Sequence, residues 1–191
     1  EFHQIAELVH SLRPGHALGT PGLGLGLPLL SGLSDCRAVS SLLPALISRA
    51  GVDIFSEGDG QISREAVLLA GHGTGHPADA LYCQLAGIMN KQHRNVYLAS
   101  IEGALSLDDI LSLLKESGAE RVLLMPFMLV AGGHAEKDLF GADPQSWKSI
   151  LEREGYSVLS HNRGLGDSPE IISLFLERTK RALEKMALQL L

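Results

Sequence analysis

The sequence predicts an α/β fold in which a parallel β-sheet is flanked by helices. Apolar runs without alternation, such as residues 66–70 and the run beginning at Arg121, are typical of strands that are buried on both faces. Segments with apolar residues at helical spacing lie between these runs. Because strands and helices alternate along the chain, we expect right-handed β-α-β crossovers and hence a parallel sheet.

Composition sets limits on the class of protein. A chain of 191 residues that is 45% hydrophobic can bury the core of one ordinary domain or slightly more. The formal charge of −6 argues against a nucleic-acid partner, and no apolar run is long enough for a membrane span. Cys36 and Cys83 form neither a thiolate metal motif nor a disulfide framework. We expect a cytoplasmic protein without nucleic-acid or membrane partners, and leave open a homo-oligomer and a periplasmic location.

The first thirty residues combine a helix with a glycine-rich segment. Apolar residues at helical spacing predict a helix from Glu1 to Leu12, and a start in mid-pattern suggests that something upstream is absent. The segment Gly19–Leu30 invites comparison with a dinucleotide fingerprint, but its glycine spacing is wrong and no third glycine opens a helix. A strand that ends at Pro28 or Leu29 is the better interpretation.

The remaining elements follow from caps, breakers and periodicity. We first predict a helix capped by Ser34 or Asp35, with a kink or late start at Pro44, then a loop over 55–63 and a strand over 66–70. A helix opening at Pro77, a strand over 95–101 and a helix with a capping box at Ser106 and Asp109, ending at Gly118, follow. The rest is a strand from Arg121 that breaks at Gly132-Gly133, a charged turn over 136–138, a helix around 147–151, a strand over 156–159 and a last helix capped by Ser168.

Three potential metal ligands follow three of the predicted strands. His72, Glu102 and His134 each come just past the carboxyl end of a strand, about one strand-plus-helix unit apart. If these strands are parallel neighbours, all three side chains emerge at one edge of the sheet. Two imidazoles and one carboxylate suit divalent Co, Ni, Fe or Zn. A polar cleft lined by the same side chains for another purpose remains the alternative.

The other chemistry-bearing residues give weaker signals. We interpret His76 as a supporting or surface residue, because the proline that follows makes helical pairing with His72 improbable. His93 and His161 have no evident partner. The chain has no G-x-S-x-G elbow and no second carboxylate matched to Glu102 at a strand end, so nucleophilic and glycosidase chemistry are not favoured. A metallohydrolase that uses metal-bound water stays open.

Several motifs resemble one family in the right order. GHGTGHPAD at 71–79, IEG at 101–103 and LMPFMLVAGGHAEKD at 124–138 closely resemble the anaerobic cobalt chelatases of the CbiK type. The segments LGLPLLSG at 25–32, QSWKSIL at 145–151 and GLG at 164–166 are similar to the same family. The resemblance therefore extends over essentially the whole chain.

The resemblance implies a class II chelatase fold with two similar lobes around a cleft, of which the first is largely missing here. Residues 1–20 would be a remnant of the first lobe, and residues 21–166 the second lobe with the metal site. Residues 167–191 would form a helix that packs back toward the first lobe. Where the family usually has an aspartate and an asparagine around its last ligand histidine, this chain has Gly133 and Lys137. We expect these differences to weaken or retune metal binding.

The resemblance also implies an activity: a sirohydrochlorin cobaltochelatase that inserts Co²⁺ into its tetrapyrrole in anaerobic cobalamin biosynthesis. His72, Glu102 and His134 would be the metal-binding and catalytic residues, with Ni²⁺ or Fe²⁺ as other candidate metals and no bound cofactor. Lys137 and Arg163 are candidate partners for the carboxylates of the tetrapyrrole. The alternative is a non-catalytic metal- or tetrapyrrole-binding fragment that needs a missing lobe.

Overall fold

The computed structural model describes residues 2–11, 25–52, 54 and 64–188. Its elements, in chain order, are α1 (Phe2–Ser11), α2 (Leu33–Arg49), β1 (Glu65–Gly71), a 3₁₀ turn (Pro77–Asp79), α3 (Ala80–Gln92), β2 (Val96–Ser100), α4 (Leu107–Ser117), β3 (Arg121–Pro126), α5 (Gly133–Ala135), a π-helical segment (Glu136–Phe140), α6 (Trp147–Arg153), β4 (Ser157–Ser160), a second 3₁₀ turn (Leu165–Asp167) and α7 (Pro169–Leu188).

The chain divides into two compact units. The smaller unit combines Glu1–Ser31 with Pro169–Leu191, and the larger unit is Gly32–Ser168. Within the smaller unit, the Arg178 guanidinium on α7 donates hydrogen bonds to the carbonyls of Pro28 and Leu29. The assignment of residues 1–20, 21–166 and 167–191 to chelatase lobes stays a prediction.

The larger unit is built on a four-stranded parallel sheet with the order β2-β1-β3-β4, which confirms the predicted fold class. Residues such as Leu68 and Leu124 pack on one face with apolar side chains of α4 and α6. Because strand side chains alternate, Val67 and Leu69 point to the opposite face, where α2 and α3 supply buried residues. Strands β1, β2 and β3 are thus covered on both faces, as their continuous apolar sequences require, whereas the edge strand β4 is largely exposed.

The strand order creates a switch point at the end of β1. From β1 the chain crosses to β2 on one side, and from β2 it returns to β3 on the other side of β1. Loops that leave neighbouring strands in opposite directions open a crevice at the carboxyl edge of the sheet, and ligands of open α/β folds bind there. The loop after β1 carries His72, so the topology favours this edge as the site.

The caps of the helices were predicted with mixed success. Ser106 and Asp109 form the expected capping box on α4, and Gly118 ends this helix in the left-handed conformation with φ 70°. The predicted cap of α2 is wrong: the helix begins at Leu33, and its N-cap is Gly32, which has no side chain to accept a hydrogen bond. It also continues through Pro44, because its buried apolar residues on both sides of the proline hold the helix against the core.

Other predicted segments differ from the structure. The strand from Arg121 ends at Pro126 rather than near Gly132. Phe127 still donates its N–H to Ala70 of β1, but the carbonyls of Met128 and Leu129 bond to the loop after β4 instead of a neighbouring strand. The expected charged turn over 136–138 is π-helical. Residues 25–30, the described part of the strand predicted to end at Pro28 or Leu29, form no strand. The loop predicted over 55–63 lies outside the described residues.

Two helices of the smaller unit expose part of their apolar side. In α1, Ile5 is 49% and Leu8 57% exposed, although both lie on the predicted apolar face. In α7, Leu176 is 63% exposed. No helix within the described residues is both long enough and apolar enough to cross a membrane.

Candidate metal site

The structure brings His72 and Glu102 together at the carboxyl edge of the sheet. Strands β1 and β2 are paired up to Gly71 and Ser100, and their ladder continues beyond the strand ends. The Ile101 N–H donates to the Gly71 carbonyl at 3.0 Å, and the Glu102 N–H donates to the His72 carbonyl at 2.8 Å. The backbones of the two predicted ligands are therefore hydrogen-bonded neighbours.

The side chains of this pair lie close to one another and face solvent. His72 Nδ1 is 3.8 Å from Glu102 Oε2, and the side chains are 61% and 64% exposed. His72 Nδ1 is also 3.1 Å from the carbonyl of Gly73. A carbonyl only accepts, so a hydrogen bond here places a proton on Nδ1, and in the neutral ring Nε2 is then the nitrogen that carries the lone pair. Metal-binding histidines usually have this arrangement, in which a backbone carbonyl holds the other ring nitrogen.

The third predicted ligand, His134, follows its strand less directly than we expected. It lies in the short helix α5, and a loop of several residues separates it from the end of β3 at Pro126. Since β3 pairs with β1, this loop leaves the same sheet edge as the loop of His72. The side chain of His134 is outside the described part of the structure, so its participation stays a prediction. Among the side chains that are described, no three His, Cys, Asp or Glu cluster as metal ligands.

The loop between β3 and α5 is supported from the side by the loop that follows β4. The Leu165 N–H donates to the Met128 carbonyl at 2.7 Å, and the Gly166 N–H donates to the Leu129 carbonyl at 2.9 Å. A Cβ at Gly164 would lie 2.5 Å from the Leu129 oxygen. The glycines of the GLG motif therefore permit a backbone approach that no other residue allows.

A buried carboxylate that we did not predict joins the two loops of His72 and Glu102. Asp79 is 7% exposed, and its two oxygens accept the backbone N–H groups of Thr74, at 3.1 Å, and of Ala104, at 2.7 Å. Thr74 follows His72, whereas Ala104 follows Glu102. Asp79 lies in the motif quoted above, but nothing in the local sequence signals where its carboxylate points.

Tyr82 packs beneath the same loop. A Cβ at Gly71 would overlap the ring of Tyr82, and this ring makes an edge-on contact with Phe127 at 6.2 Å between centroids. Burial raises the pKa of the Tyr82 hydroxyl, and the negative charge of Asp79 raises this pKa further. A hydrogen bond with the backbone of Gly73 lowers the pKa, but by less than burial raises it. Tyr82 therefore stays neutral and acts as a packed support.

Three further histidines have side chains within the described part of the structure. His76 is exposed, and its ring accepts the Ala78 N–H at 3.1 Å, which caps the 3₁₀ turn. His93 Nε2 lies 3.0 Å from the Ser40 carbonyl and so ties the end of α3 to α2. His161 directly follows β4, and burial together with the nearby Arg163 lowers its pKa.

The candidate substrate contacts differ in exposure. Lys137 and Arg163 are exposed, in the segments that follow β3 and β4. Within the apolar run that begins at Arg121, Met125 and Phe127 are each only 4% exposed and are core residues. Leu129 is 47% exposed, so this part of the apolar run does face outward.

A cavity of about 270 Å³ lies away from these residues. It is lined by residues at the starts of β1, β3 and β4, including Glu65, Arg121 and Ser157. In a parallel sheet these starts form the edge opposite to that of His72 and Glu102. We therefore place the site at the carboxyl edge, by its chemistry and topology rather than by cavity size.

The chain is similar to two curated cobaltochelatases. The chain is 34% identical to the sirohydrochlorin cobaltochelatase CbiKC of Nitratidesulfovibrio vulgaris over 85% of its own length and 54% of that protein. It is 32% identical to the sirohydrochlorin cobaltochelatase of Salmonella typhimurium over 96% of its length and 64% of that protein. The chain thus spans between about half and two thirds of the curated relatives that it matches.

The chain is also similar to a solved structure and matches one protein family. The CbiX protein of Marinobacter aquaeolei VT8, named for cobalamin (vitamin B12) biosynthesis, shares the fold with a TM-score of 0.53 at 23% identity, over 63% of this chain and 96% of that one. Residues 49–184 match the family described as cobalt chelatase (CbiK), and this range includes both loops of the site. The chain therefore belongs to the cobalt chelatase (CbiK) family.

Proposed function

We propose that this chain forms the metal-handling lobe of a sirohydrochlorin cobaltochelatase, which inserts Co²⁺ into sirohydrochlorin during anaerobic cobalamin biosynthesis. The observation that carries the proposal is the hydrogen bond between the backbones of His72 and Glu102 at the switch point of the sheet. This hydrogen bond supports the proposal that His72 and Glu102 act as a ligand pair, because it holds their backbones side by side. Both relatives at 32–34% identity are named for this reaction.

The first step is capture of the metal substrate by His72, Glu102 and His134. Nε2 of His72 offers a lone pair because Nδ1 is held by the Gly73 carbonyl. The carboxylate of Glu102 adds the negative charge that attracts a divalent ion, and the exposure of both side chains suits a site that must release its metal. Imidazole and carboxylate ligands bind Co²⁺, Ni²⁺ and Fe²⁺ alike, so Co²⁺ preference depends on geometry and supply.

The second step exchanges two protons for one metal ion. Two pyrrole N–H bonds of the tetrapyrrole break, their nitrogen lone pairs bind Co²⁺, and two protons leave. As Co²⁺ moves to the macrocycle, the imidazole nitrogens and the carboxylate that held it become able to accept these protons. The same side chains thus serve as departing ligands and as bases, and no electron transfer is needed.

The charge of the tetrapyrrole requires cationic partners. Sirohydrochlorin carries several carboxylates, whereas this chain has a formal charge of −6. Lys137 and Arg163 are exposed in the segments that follow β3 and β4, and Arg163 can bind a carboxylate with two parallel N–H groups. We assign both to substrate carboxylates. Lys137, which stands where the family usually has an asparagine, would add a positive charge three residues from His134.

The test measures metal binding and metal insertion separately. Co²⁺ is titrated into the chain alone, and then into the chain with sirohydrochlorin, whose visible spectrum reports insertion above the rate without protein. Loss of a residue that only supports a metal ligand typically weakens metal binding by about 10- to 100-fold. We expect His72→Ala, Glu102→Gln and His134→Ala each to weaken Co²⁺ binding by more than this. Insertion should fall with binding.

The matched control is His76→Asn, in the same loop as His72. Asparagine keeps an acceptor for the Ala78 N–H, so the turn stays capped while one imidazole is removed. This variant should bind and insert Co²⁺ as the unmodified chain does. Co²⁺ binding without insertion would contradict catalysis by this chain alone, and equal binding by all variants would overturn the metal site. Parallel titrations with Ni²⁺ and Fe²⁺ rank the metals.

A further inference from the structure

We propose that Asp79 is a positioning residue, whose carboxylate sets the separation of His72 and Glu102 by accepting one hydrogen bond from each of their two loops. The inference rests on the proposed metal site and adds to it a residue that touches neither metal nor tetrapyrrole. Its two backbone partners, Thr74 and Ala104, lie two residues beyond His72 and Glu102, respectively. A shift of either partner would therefore move a ligand.

The position of Asp79 in the chain makes its orientation informative. It occupies the N-cap of α3, where aspartate ordinarily accepts an N–H group of its own helix, yet its side chain makes no capping bond. The carboxylate instead accepts from two loops that are 25 and 5 residues away along the chain. The negative charge still lies at the favourable N-terminal end of α3. Asp79 thus serves the two loops rather than the helix.

Two glycines let the loops close around this carboxylate. A Cβ at Gly103 would lie 2.5 Å from one Asp79 oxygen and 2.8 Å from the other. A Cβ at Gly73 would lie 2.5 Å from the Gly103 nitrogen and 2.7 Å from Ser100 Cβ. The loops therefore pack at backbone contact distance, with the carboxylate between them. Loss of this buried carboxylate would leave the Thr74 and Ala104 N–H groups without the acceptor that joins their loops.

Asp79 does not act as a proton acceptor in this assignment. Only 7% of the residue is exposed, compared with 61% and 64% for the side chains of His72 and Glu102. A group in this position cannot reach a macrocycle that lies over the exposed pair. Its effect on the reaction must pass through the geometry of the ligands.

The experiment compares Asp79→Asn with Asp109→Asn in the full chain. Asparagine keeps one acceptor oxygen, so one of the two loop bonds is lost while the size of the side chain is unchanged. Asp109 is a matched control: its carboxylate also accepts a backbone N–H, that of Ser106, but it caps α4 and is exposed. We expect Asp79→Asn to weaken Co²⁺ binding by about 10- to 100-fold, as outer partners of metal ligands do, and Asp109→Asn to leave it unchanged.

Two further readouts separate positioning from a general loss of structure. Hydrogen exchange at the Thr74 and Ala104 amides should accelerate in Asp79→Asn while the amides of Leu68 and Leu124 keep their protection. In the Glu102→Gln background, Asp79→Asn should have a much smaller effect on Co²⁺ binding, because one of the ligands that it positions is already gone.

The outcomes distinguish this inference from the proposed function. If His72→Ala weakens Co²⁺ binding but Asp79→Asn does not, the positioning role is overturned and the metal site stands. If Asp79→Asn and Asp109→Asn weaken binding equally, the effect is general destabilisation and the role is again overturned. If no variant, including His72→Ala, changes Co²⁺ binding, the proposed metal site itself fails and the inference fails with it.

Discussion

Gly73 lies where the loops of His72 and Glu102 touch, and replacing it by alanine tests how closely they pack. The residue has φ +74°, a conformation that costs an L-residue about 1–2 kcal/mol. The new Cβ would also lie 2.5 Å from the Gly103 nitrogen, 2.8 Å from its Cα and 2.7 Å from Ser100 Cβ. Two of these neighbours are backbone atoms of Gly103 and the third is the Cβ of Ser100, so a side-chain rotation cannot relieve the contact. Overpacking of this kind costs about 1–3 kcal/mol.

The matched control is Gly118→Ala at the end of α4. Gly118 has φ +70°, but nothing lies within 4 Å of its added Cβ. Both substitutions share the conformational cost and the entropic effect on the unfolded chain, so these terms cancel in the comparison. We expect Gly73→Ala to lose about 1–3 kcal/mol more of the free energy of unfolding than Gly118→Ala.

Urea unfolding followed by tryptophan fluorescence measures this difference. Trp147 is the only tryptophan and is 7% exposed in the core of the larger unit, so its emission reports on the unit that contains both glycines. Co²⁺ titration of the folded variants should show weakened binding for Gly73→Ala alone. Equal losses of stability in the two variants, with equal Co²⁺ binding, would refute the close packing of the loops.

Two further predictions concern the core and the pH dependence of stability. Leu124→Ala, in the fully buried centre of β3, should lose about 2–5 kcal/mol of unfolding free energy. Leu159→Ala on β4, where the side chain is 48% exposed, should lose clearly less in the same urea assay. Similar losses in the two variants would contradict the burial of Leu124 and the exposure of Leu159. The pKa of His161 is lowered from 6.5, so the unfolded chain binds its proton more readily and the stability from this group declines as pH falls through about 6.5. Urea midpoints from about pH 8 to about pH 5 should therefore decline less steeply in His161→Gln than in the unmodified chain, and identical slopes would contradict the burial of this ring.

Local signals in the sequence were reliable where one segment decides the structure. The uninterrupted apolar residues 66–70 predicted a buried strand, and β1 is that strand. The pair Ser106 and Asp109 predicted the capping box of α4, because both partners lie within one helical turn. The cap of α2 was mispredicted because Ser34 and Asp35 also suit the first turn of a helix, and they lie in the first turn of α2, which begins at Leu33 after the N-cap Gly32.

The sequence alone determined the α/β class, the parallel sheet, the family resemblance and the choice of His72 and Glu102. These follow from periodicity, strand ends and motifs, which are properties of short segments. Only the tertiary structure decided that β1 lies between β2 and β3, and hence that His72 and Glu102 meet across a shared ladder. Only the tertiary structure revealed Asp79, because the partners of a carboxylate in two separate loops depend on how distant segments pack rather than on the residues beside it.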